Sequence, residues 1–277
     1  MIRNLRKDDY MTGIVRCVQF STGAGSAEVA FRVEKVAQPE DRLVLLTADT
    51  MVEDEDNWRF AEEVVKALSP RWEWIIIRDG RNPMQVGRDQ RVVPNNRFAV
   101  CSRILKREAL HKWIKHNCPP DSSIIYLGFD WTEPHRFEKA EPLWLPWKIE
   151  APMMDAPYIE KYALLEKFRS IGIEPPRLYA AGFSHANCGG ACVRGGQASW
   201  KMLLEWNKPR YIEWEEEEEL TRTMLGKNVA ILKRTINKET SPLTLRDFRT
   251  QIENSPQMFD KDDWGACGCF MDEEEEK

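Results

Sequence analysis

Two features of the sequence predict an α/β fold built on a parallel sheet. Apolar runs of strand length alternate with amphipathic stretches of helical spacing through the first half of the chain. A loop of small residues, Ser21–Ser26, joins the first such run to the first helical stretch. Because parallel strands need crossover connections, which helices supply, this alternation indicates a parallel sheet with right-handed crossovers.

The first half of the chain divides into predicted strands and helices in order. The predicted strands are residues 14–20, 41–48, 72–77 and 122–129, and the predicted helices are residues 27–34, 57–68 and 103–117. Residues 79–96 are rich in Gly, Pro and Asn and are predicted to form a long loop. Ligands of such sheets bind beyond the carboxyl ends of the strands. We therefore expect Ser21–Ser26, Asp49–Thr50, the Arg-rich loop and Asp130–Arg136 to meet at one edge.

The second half is predicted to be a mostly helical elaboration. We divide the chain into a core of residues 1–135 and an elaboration of residues 136–277, without a clear linker. The predicted helices of this part are residues 156–171, 197–206, 212–225 and 245–254, and residues 229–233 are a candidate strand. Thr244 is a candidate N-cap of the last helix.

Charge and hydropathy exclude some functions. The longest apolar runs are too short to span a membrane, and the first residues lack an apolar signal core, so we expect a cytoplasmic protein with no membrane partner. The net charge is −5, but the acids are concentrated in Glu215–Glu219 and Asp272–Glu276, which we expect to be solvated. We expect Glu215–Glu219 to be a helix face and not a metal site. Between Arg78 and Arg107 the charge is basic, which favours a small anionic ligand over a general nucleic-acid surface. The sequence indicates no nucleic-acid or protein partner and leaves the oligomeric state open.

The loop after the first strand is the candidate anion site. A strand, a small-residue loop and a helix in this order bring backbone N–H groups and a helix N-terminus to a phosphate. The candidate binding residues are Ser21, Thr22, Gly23 and Ser26, with Arg97, Arg103 and Lys106 as a cationic clamp for anionic oxygens. The alternatives are a plain tight turn and an exposed basic surface.

The cysteines suggest chemistry rather than disulfides, because seven is an odd number. Cys101 is predicted to begin a helix near Arg103, where it is a nucleophile, a cluster ligand or an inert buried residue. Four others are predicted to bind one metal centre, either zinc or a [4Fe-4S] cluster: Cys188, Cys192, Cys267 and Cys269. The alternatives are two unrelated pairs, or a mobile redox thiol at Cys267 or Cys269.

Four motifs in the same order resemble the phosphoadenosine phosphosulfate (PAPS) reductase family of PP-loop nucleotide α-hydrolases. Ser21–Ser26 resembles a degenerate Ser-Gly-Gly-x-Asp-Ser loop, and Asp49-Thr50 resembles the Asp-Thr that follows the family's second strand. Cys101 to Lys106 resembles the family's Cys-x-x-x-Lys segment at the head of a helix. Leu127 to Asp130, with Glu133 and Arg136, resembles the family's Gly-x-Arg-x-x-Glu-Ser-x-x-Arg region. Residues 178–197 and 264–270 are similar to a branch carried by bacteria and mobile elements.

The resemblance implies a PP-loop core that binds an adenine nucleotide, ATP or PAPS/APS, and acts in sulfur transfer or reduction. It implies nucleotide contacts at Asp49, Thr50, Arg97 and Arg136, catalytic roles for Cys101, Arg103 and Lys106, and a leaning towards iron–sulfur over zinc. Two departures matter. Gly25 stands where the family has an acid, and the family's terminal Glu-Cys-Gly-x-His element is absent. An ATP α-phosphate hydrolase and a non-catalytic nucleotide- or partner-binding protein therefore remain alternatives.

Overall fold

The computed structural model describes residues 13–265, and its main element is a five-stranded sheet with the order β3-β2-β1-β4-β5. The strands are β1 Val15–Gln19, β2 Arg42–Asp49, β3 Trp72–Arg78, β4 Ser123–Tyr126 and β5 Lys148–Glu150. β1 pairs in parallel with β2 and with β4, and β4 pairs in parallel with β5. The predicted α/β fold class with a parallel sheet is confirmed. The sequence pattern did not reveal the short edge strand β5.

The central strand β1 buries its apolar residues within the sheet. Val15, Cys17 and Val18 are each at most 1% exposed, as expected for the middle of a parallel sheet that is covered on both faces. The Cys17 thiol contacts the Cys118 thiol, and this contact raises the pKa of Cys17 well above its usual value. Both thiols are buried, Cys118 being 1% exposed.

The helices follow the predicted order with several shifted boundaries. The helices up to residue 140 are α1 Ala24–Val36, α2 Glu55–Ala67, α3 Pro83–Asp89, α4 Ala109–Asn117 and α5 Pro134–Ala140, and those after it are α6 Lys161–Ser170, α7 Arg177–Ala180, α8 Gln197–Trp206, α9 Lys208–Leu225 and α10 Leu245–Asn254. Ser102–Glu108 is a π-helical segment, and short 3-10 turns occur at Pro120–Ser122, Glu141–Trp144 and Asn187–Gly190. The long loop predicted for residues 79–96 was wrong in part, since it contains α3, which begins with a capping box between Asn82 and Gln85.

The contacts divide the chain into two compact units. Of the described residues, 13–47, 60–76 and 111–174 form unit 1, and 48–59, 77–110 and 175–265 form unit 2. In unit 1, Phe60 and Phe168 pack edge to face with their ring centroids 5.2 Å apart. In unit 2, Trp200 packs against Tyr211 and Trp214, with ring centroids 5.8 Å apart in both pairs. The boundary at residues 135 and 136 stays a prediction.

The last part of the described chain contains helices and one hairpin. β6 Leu232–Ile236 and β7 Glu239–Leu243 pair antiparallel, whereas the sequence pattern indicated only one strand, at residues 229–233. Helix α10 has the predicted bounds, and the Thr244 side chain accepts a hydrogen bond from the backbone N–H of Asp247, which confirms the predicted N-cap. Among the helices of residues 13–265, none combines the length and apolar character that crossing a membrane requires.

The expectation that Glu215–Glu219 form a solvated face was wrong for two of the five residues. Glu215 is 4% exposed and pairs with Arg246 and Arg249. Glu218 is 1% exposed and accepts hydrogen bonds from the backbone N–H groups of Ile231 and Leu245. The run therefore has an inner side as well as an outer one, because consecutive residues point in different directions around a helix. The other acidic run, residues 272–276, lies outside the described residues.

Candidate functional site

The loop Ser21–Ser26, which the sequence predicts to bind a nucleotide and which we therefore call the nucleotide loop, is held in shape by its own hydroxyl groups. The Ser26 Oγ accepts a hydrogen bond from the backbone N–H of Ser21 at 3.1 Å and donates one to the carbonyl of Gly23 at 3.0 Å. Thr22 has a φ of 60°, which is uncommon for a residue with a side chain, and its Oγ1 donates to the Ser21 carbonyl at 2.6 Å. The Ser26 hydroxyl, predicted as a ligand contact, thus organises the loop.

The loop leads directly into the N-terminus of helix α1. Gly23 is the N-cap residue and supplies no side-chain hydrogen bond, and the first turn carries no acidic residue. The first N–H groups of a helix have no partner within the helix, and the helix dipole adds a partial positive charge at this end. This end of α1 is therefore suited to an anion.

Position 25 has room for a side chain. A Cβ atom added to Gly25 would have only the Gly128 carbonyl oxygen near it among the described residues, at 4.0 Å. Gly128 follows β4, and a Cβ atom there would lie 3.7 Å from the Ser26 Cα. The chain leaving β4 therefore passes close to the nucleotide loop. Gly25 stands where the resembled family has an acid, and neither packing nor φ requires a glycine there.

The segment after β4 carries the predicted Arg136. The Arg136 guanidinium pairs with Glu133 and lies 4.8 Å from the centre of the Phe129 ring. Its buried Nε has no hydrogen-bond partner among the residues described. Nearby, burial lowers the pKa of Lys161, with Asp130 and Glu133 acting in the opposite direction. Arg136 of this segment and Lys161 of α6 are thus both influenced by Glu133, and Arg136 has a buried donor that no described residue uses.

Asp49 and Thr50 follow β2 and already have partners within unit 2. The Asp49 carboxylate pairs with Arg78 at 2.7 Å and accepts a hydrogen bond from the backbone N–H of Met51 at 2.8 Å. The Thr50 hydroxyl donates to Glu53 at 3.1 Å. The carboxyl ends of β1, β2 and β4 lie at the same edge of the sheet because these strands are parallel.

The three cations predicted to form a clamp have different surroundings. Arg97 lies over the Phe98 ring on the surface, 5.3 Å from its centre. The Arg103 guanidinium pairs with Glu108 at 2.7 Å, and its side chain is 43% exposed. The Lys106 ammonium lies 3.7 Å from Glu53, with only 12% of its side chain exposed. Within unit 2, Lys106 is therefore mostly buried, whereas Arg97 and Arg103 lie on the surface.

Lys106 lies in a small cavity of unit 2 that contains three cysteines. We call this the thiol cavity, and it is lined by Thr50, Pro83, Ala99, Cys101, Ser102, Lys106, Cys188, Ala191, Cys192, Val193, Arg194 and Trp214. No disulfide joins the five described cysteines. The thiol of Cys192 and burial raise the pKa of the Cys188 thiol well above its usual value, while Lys106 acts against this. Cys101 and the pair Cys188 and Cys192, which the sequence analysis treated separately, thus line one cavity.

A π-helical segment explains how Cys101 and Lys106 reach the same cavity. Cys101 is the N-cap residue of the π segment Ser102–Glu108, which confirms that it lies at the start of a helical stretch. In a π-helix the backbone hydrogen bonds join residues five apart, so such residues lie on the same side of the helix. In an α-helix the same two residues would point in clearly different directions. The wider turn therefore presents both side chains to the cavity.

Glu53 is a residue that the sequence analysis missed. Its carboxylate accepts hydrogen bonds from the backbone N–H of Cys188 at 2.6 Å and from the Thr50 hydroxyl, and it faces Lys106. In the sequence, Glu53 belongs to the acidic stretch of residues 53–56, whose composition is typical of a solvated surface. No local sequence pattern distinguishes Glu53 from the other acids of this stretch. Cys188 itself has a φ of 54°, and two further positive φ values follow at Gly189 and Gly190, so this turn needs its glycines.

The last described residues lie against the chain that follows Cys192. Gly265 forms an antiparallel bridge with Gly195, and the backbone N–H of Ala198 donates to the Asp263 carbonyl at 2.9 Å. The Ser199 hydroxyl donates to the Trp264 carbonyl at 2.8 Å. Cys267 and Cys269 lie outside the described residues. Within residues 13–265, no three His, Cys, Asp or Glu side chains are grouped so that they could hold a metal ion.

Comparison with known proteins extends only to the fold. No protein-family model and no curated protein matches the chain. It is similar to the structure of U34-tRNA thiolase NcsA from Methanococcus maripaludis with its [4Fe-4S] cluster, at 15% identity and a TM-score of 0.43. This similarity covers 62% of the present chain and 61% of the thiolase, so the chain spans about three fifths of that protein's length.

A second similar structure is phosphoadenylyl-sulfate (PAPS) reductase from Candida auris in a phosphate complex. The identity is 11% and the TM-score is 0.40, with 61% of the present chain and 78% of the reductase covered. This enzyme belongs to the family that the sequence motifs resemble. The α/β fold is common to all three proteins, and similarity at this level carries no information about activity.

Proposed function

We propose that the chain binds an adenine nucleotide, PAPS/APS or ATP, at the nucleotide loop and acts on it in sulfur transfer or reduction. The observation that supports this best is the start of α1, whose N-cap residue Gly23 makes no side-chain hydrogen bond and lies in a loop ordered by Ser26. Such a helix end attracts phosphate through its N–H groups and its dipole. The choice of an adenine nucleotide depends on the resemblance of the motifs to PAPS reductases.

Each candidate residue has a role in this proposal. The backbone N–H groups of the first turn of α1 bind phosphate oxygens, and Arg136 adds a charged donor because its Nε is buried and unused by the described residues. Asp49 and Thr50, together with Arg97 and Arg103, are the further proposed contacts. Lys106 faces the thiol cavity, which favours a role beside sulfur over a role in the clamp.

Gly25 supports two alternatives. Because the acid that the family has at this position is missing, an ATP α-phosphate hydrolase and a nucleotide- or partner-binding protein without turnover are the alternatives to sulfur transfer. The space beside Gly25 allows the acid to be restored. Gain of ATP hydrolysis in Gly25→Asp with Mg²⁺ would favour the interpretation that this chain is a degenerate member of the family.

The experiment for nucleotide binding uses two isosteric variants. Gly25→Asp places a negative charge beside the loop, whereas Gly25→Asn places a neutral side chain of the same shape there. In calorimetry without divalent cations, we expect Gly25→Asp to bind ATP or PAPS about tenfold more weakly than Gly25→Asn, or ~1.4 kcal/mol. Equal affinities for both nucleotides in the two variants would show that the phosphates bind elsewhere.

We also propose that Cys188, Cys192 and the tail cysteines Cys267 and Cys269 bind one metal centre, a [4Fe-4S] cluster or zinc. The support comes from the bridge between Gly195 and Gly265. Cys267 is two residues beyond Gly265, a distance of at most ~7 Å along the chain. The donor set fits such a centre, since thiols in a cavity walled by Ala191, Val193 and Trp214 suit soft metals. A cluster would supply electron transfer, and zinc would supply structural closure.

Metal analysis and an ultraviolet–visible spectrum of anaerobically purified protein test this centre. In Cys192→Ser we expect metal to be lost and the C-terminal segment to become more sensitive to proteolysis, because the tail would be released with the metal. The rival hypothesis, a redox thiol on the tail that acts alone, expects both properties to be unchanged in this variant.

A further inference from the structure

Trp131 and Tyr158 are two large aromatic residues of unit 1 whose rings stay exposed. Trp131 is 37% exposed and Tyr158 is 62% exposed. Their rings contact each other, with centroids 5.6 Å apart and planes inclined by 39°. Burial of an aromatic side chain is favourable, and the face of each ring can stack on a planar ligand. A pair of aromatic rings at the surface therefore suits the recognition of a planar ring.

Both aromatic residues lie on segments that follow the last two strands of the sheet. Trp131 is five residues beyond the end of β4. Asp130 forms a parallel bridge with Met153, three residues beyond the end of β5. Because β1, β4 and β5 are parallel, these segments leave the sheet at the same edge as the nucleotide loop.

Tyr158 also lines a cavity of about 770 Å³ beside helix α1. We call this space the α1 cavity, and its lining includes Glu28, Arg32 and Val36 of α1 as well as Phe137. Pockets that bind small molecules have volumes of about 300–1,000 Å³. The α1 cavity is therefore large enough for a nucleobase or a ligand of similar size.

Glu28 and Arg32 line the α1 cavity as a paired set of charges. Glu28 is 3% exposed, and its carboxylate forms ion pairs with Arg32 and Lys167. The Arg32 guanidinium also donates a hydrogen bond to the Pro157 carbonyl at 2.8 Å, which fixes the chain directly before Tyr158. Because these charges are already paired, this part of the cavity suits an uncharged ring better than a second anion.

We propose that the α1 cavity binds the base of the nucleotide, with Tyr158 and Trp131 as its aromatic contacts. This inference rests on the proposed function, in which the phosphates bind at the N-terminus of α1. Glu28 is four residues after the first residue of α1, or about 6 Å along the helix axis. The ribose would span the distance between the phosphates and the base. Tyr158 and Trp131 are then specificity-determining residues that recognise the ring.

The test compares ATP and PAPS with tripolyphosphate, which carries phosphates but no base. Tyr158→Ala removes the ring, whereas Tyr158→Phe keeps the ring and removes only the hydroxyl. In calorimetry we expect Tyr158→Ala to bind ATP or PAPS about tenfold more weakly than the wild type, because the base loses a stacking partner. Tyr158→Phe should bind both nucleotides like the wild type, and tripolyphosphate should bind all three proteins equally.

Two further variants keep the test independent of the fold and of position 158. Tyr162→Ala is the matched control, since Tyr162 is a 74% exposed tyrosine of unit 1 outside the lining of the α1 cavity. It should bind every ligand like the wild type. Val36 is 56% exposed and lines the cavity, so Val36→Trp fills space there while both aromatic contacts remain. We expect Val36→Trp to weaken the binding of ATP and PAPS but not of tripolyphosphate.

The outcomes separate this inference from the proposed function. Wild-type protein that binds neither the nucleotides nor tripolyphosphate would refute both. Wild-type affinity for ATP and PAPS in Tyr158→Ala and in Val36→Trp would refute the inference alone. An equal loss of nucleotide and tripolyphosphate affinity would also overturn it, because the substitutions would then act on the phosphate site. Binding of single-stranded oligoadenylate that depends on Tyr158, with ATP binding that does not, would assign the aromatic pair to nucleic acid and overturn the inference.

Discussion

Gly265, two residues before Cys267, forms an antiparallel bridge with Gly195, which lies three residues after Cys192. Gly265 has a φ of 73°, and a Cβ atom there would lie 2.0 Å from the Arg194 carbonyl oxygen. Only glycine satisfies both conditions, since a side chain would be strained by its φ and would overlap the neighbouring backbone. The bridge between the last described residues and the chain after Cys192 therefore requires glycine at position 265.

We predict that Gly265→Ala releases the C-terminal segment. The matched control is Gly226→Ala, because Gly226 also has a positive φ, 62°, but a Cβ atom there meets no described atom within 4 Å. Limited proteolysis should cleave the end of the Gly265→Ala chain several-fold faster than that of the control, and metal content should fall with it. Equal cleavage rates in the two variants would show that the bridge does not hold the segment.

A second prediction concerns the two tail cysteines. The proposed centre takes one thiolate from each of Cys188, Cys192, Cys267 and Cys269, so each tail thiol fills one ligand position. Each of the single variants Cys267→Ser and Cys269→Ser should therefore lose metal, as measured by metal analysis of both proteins. Full metal content in either variant would remove that cysteine from the ligand set.

A third prediction concerns Arg136. Arg136→Lys retains a positive charge but removes the Nε donor that has no partner among the described residues. We expect affinity for ATP or PAPS to fall about tenfold, because a hydrogen bond to a charged group contributes ~1.5–3 kcal/mol. Arg81→Lys is the control, since Arg81 pairs with Asp79 and Asp89 on the surface. Equal affinities in both variants, measured by calorimetry, would exclude Arg136 from the nucleotide site.

The elements predicted best from the sequence were those with strong local patterns. Helix α10 has apolar residues at helical spacing and a Thr N-cap, and its bounds were predicted correctly. The signal for α3 was also present, in a Pro that follows Asn82 and a Gln three residues after that Asn, but it was masked by the turn-like composition of residues 79–96. The thiol cavity could not be predicted in full, because its Cys101 side depends on a π turn and on Glu53, which contacts Cys188 across 135 residues.

The acidic run in α9 is a second feature whose long-range contacts no local sequence pattern reveals. Nothing in five consecutive glutamates distinguishes Glu218, yet each of its two oxygens accepts a backbone hydrogen bond, from Ile231 at 2.7 Å and from Leu245 at 2.7 Å. The carboxylate thus connects α9 to the chain before β6 and to the start of α10. Burial, with a smaller contribution from Glu219, raises the pKa of Glu218 to about 7, against the effect of these two hydrogen bonds and of Arg222.

The last prediction is a pH dependence of stability that is caused by Glu218. The folded state keeps a proton on this carboxyl up to a pKa of about 7, whereas the unfolded chain releases it near the usual value of 4.5. The folded state therefore binds more protons in this interval, so the contribution of Glu218 is complete below pH 4.5 and decreases as the pH rises to 7, by up to about 3 kcal/mol.

Urea unfolding of Glu218→Gln and of the exposed control Glu216→Gln, each at pH 5 and pH 8, measures this contribution. Glu218→Gln should lower the free energy of unfolding by about 1–3 kcal/mol at pH 5, since an amide can accept only one of the two backbone hydrogen bonds. Its free energy of unfolding should also change less between the two pH values than that of the wild type, whereas Glu216→Gln should follow the wild type. A wild-type pH dependence that persists in Glu218→Gln would show that another group titrates in this interval.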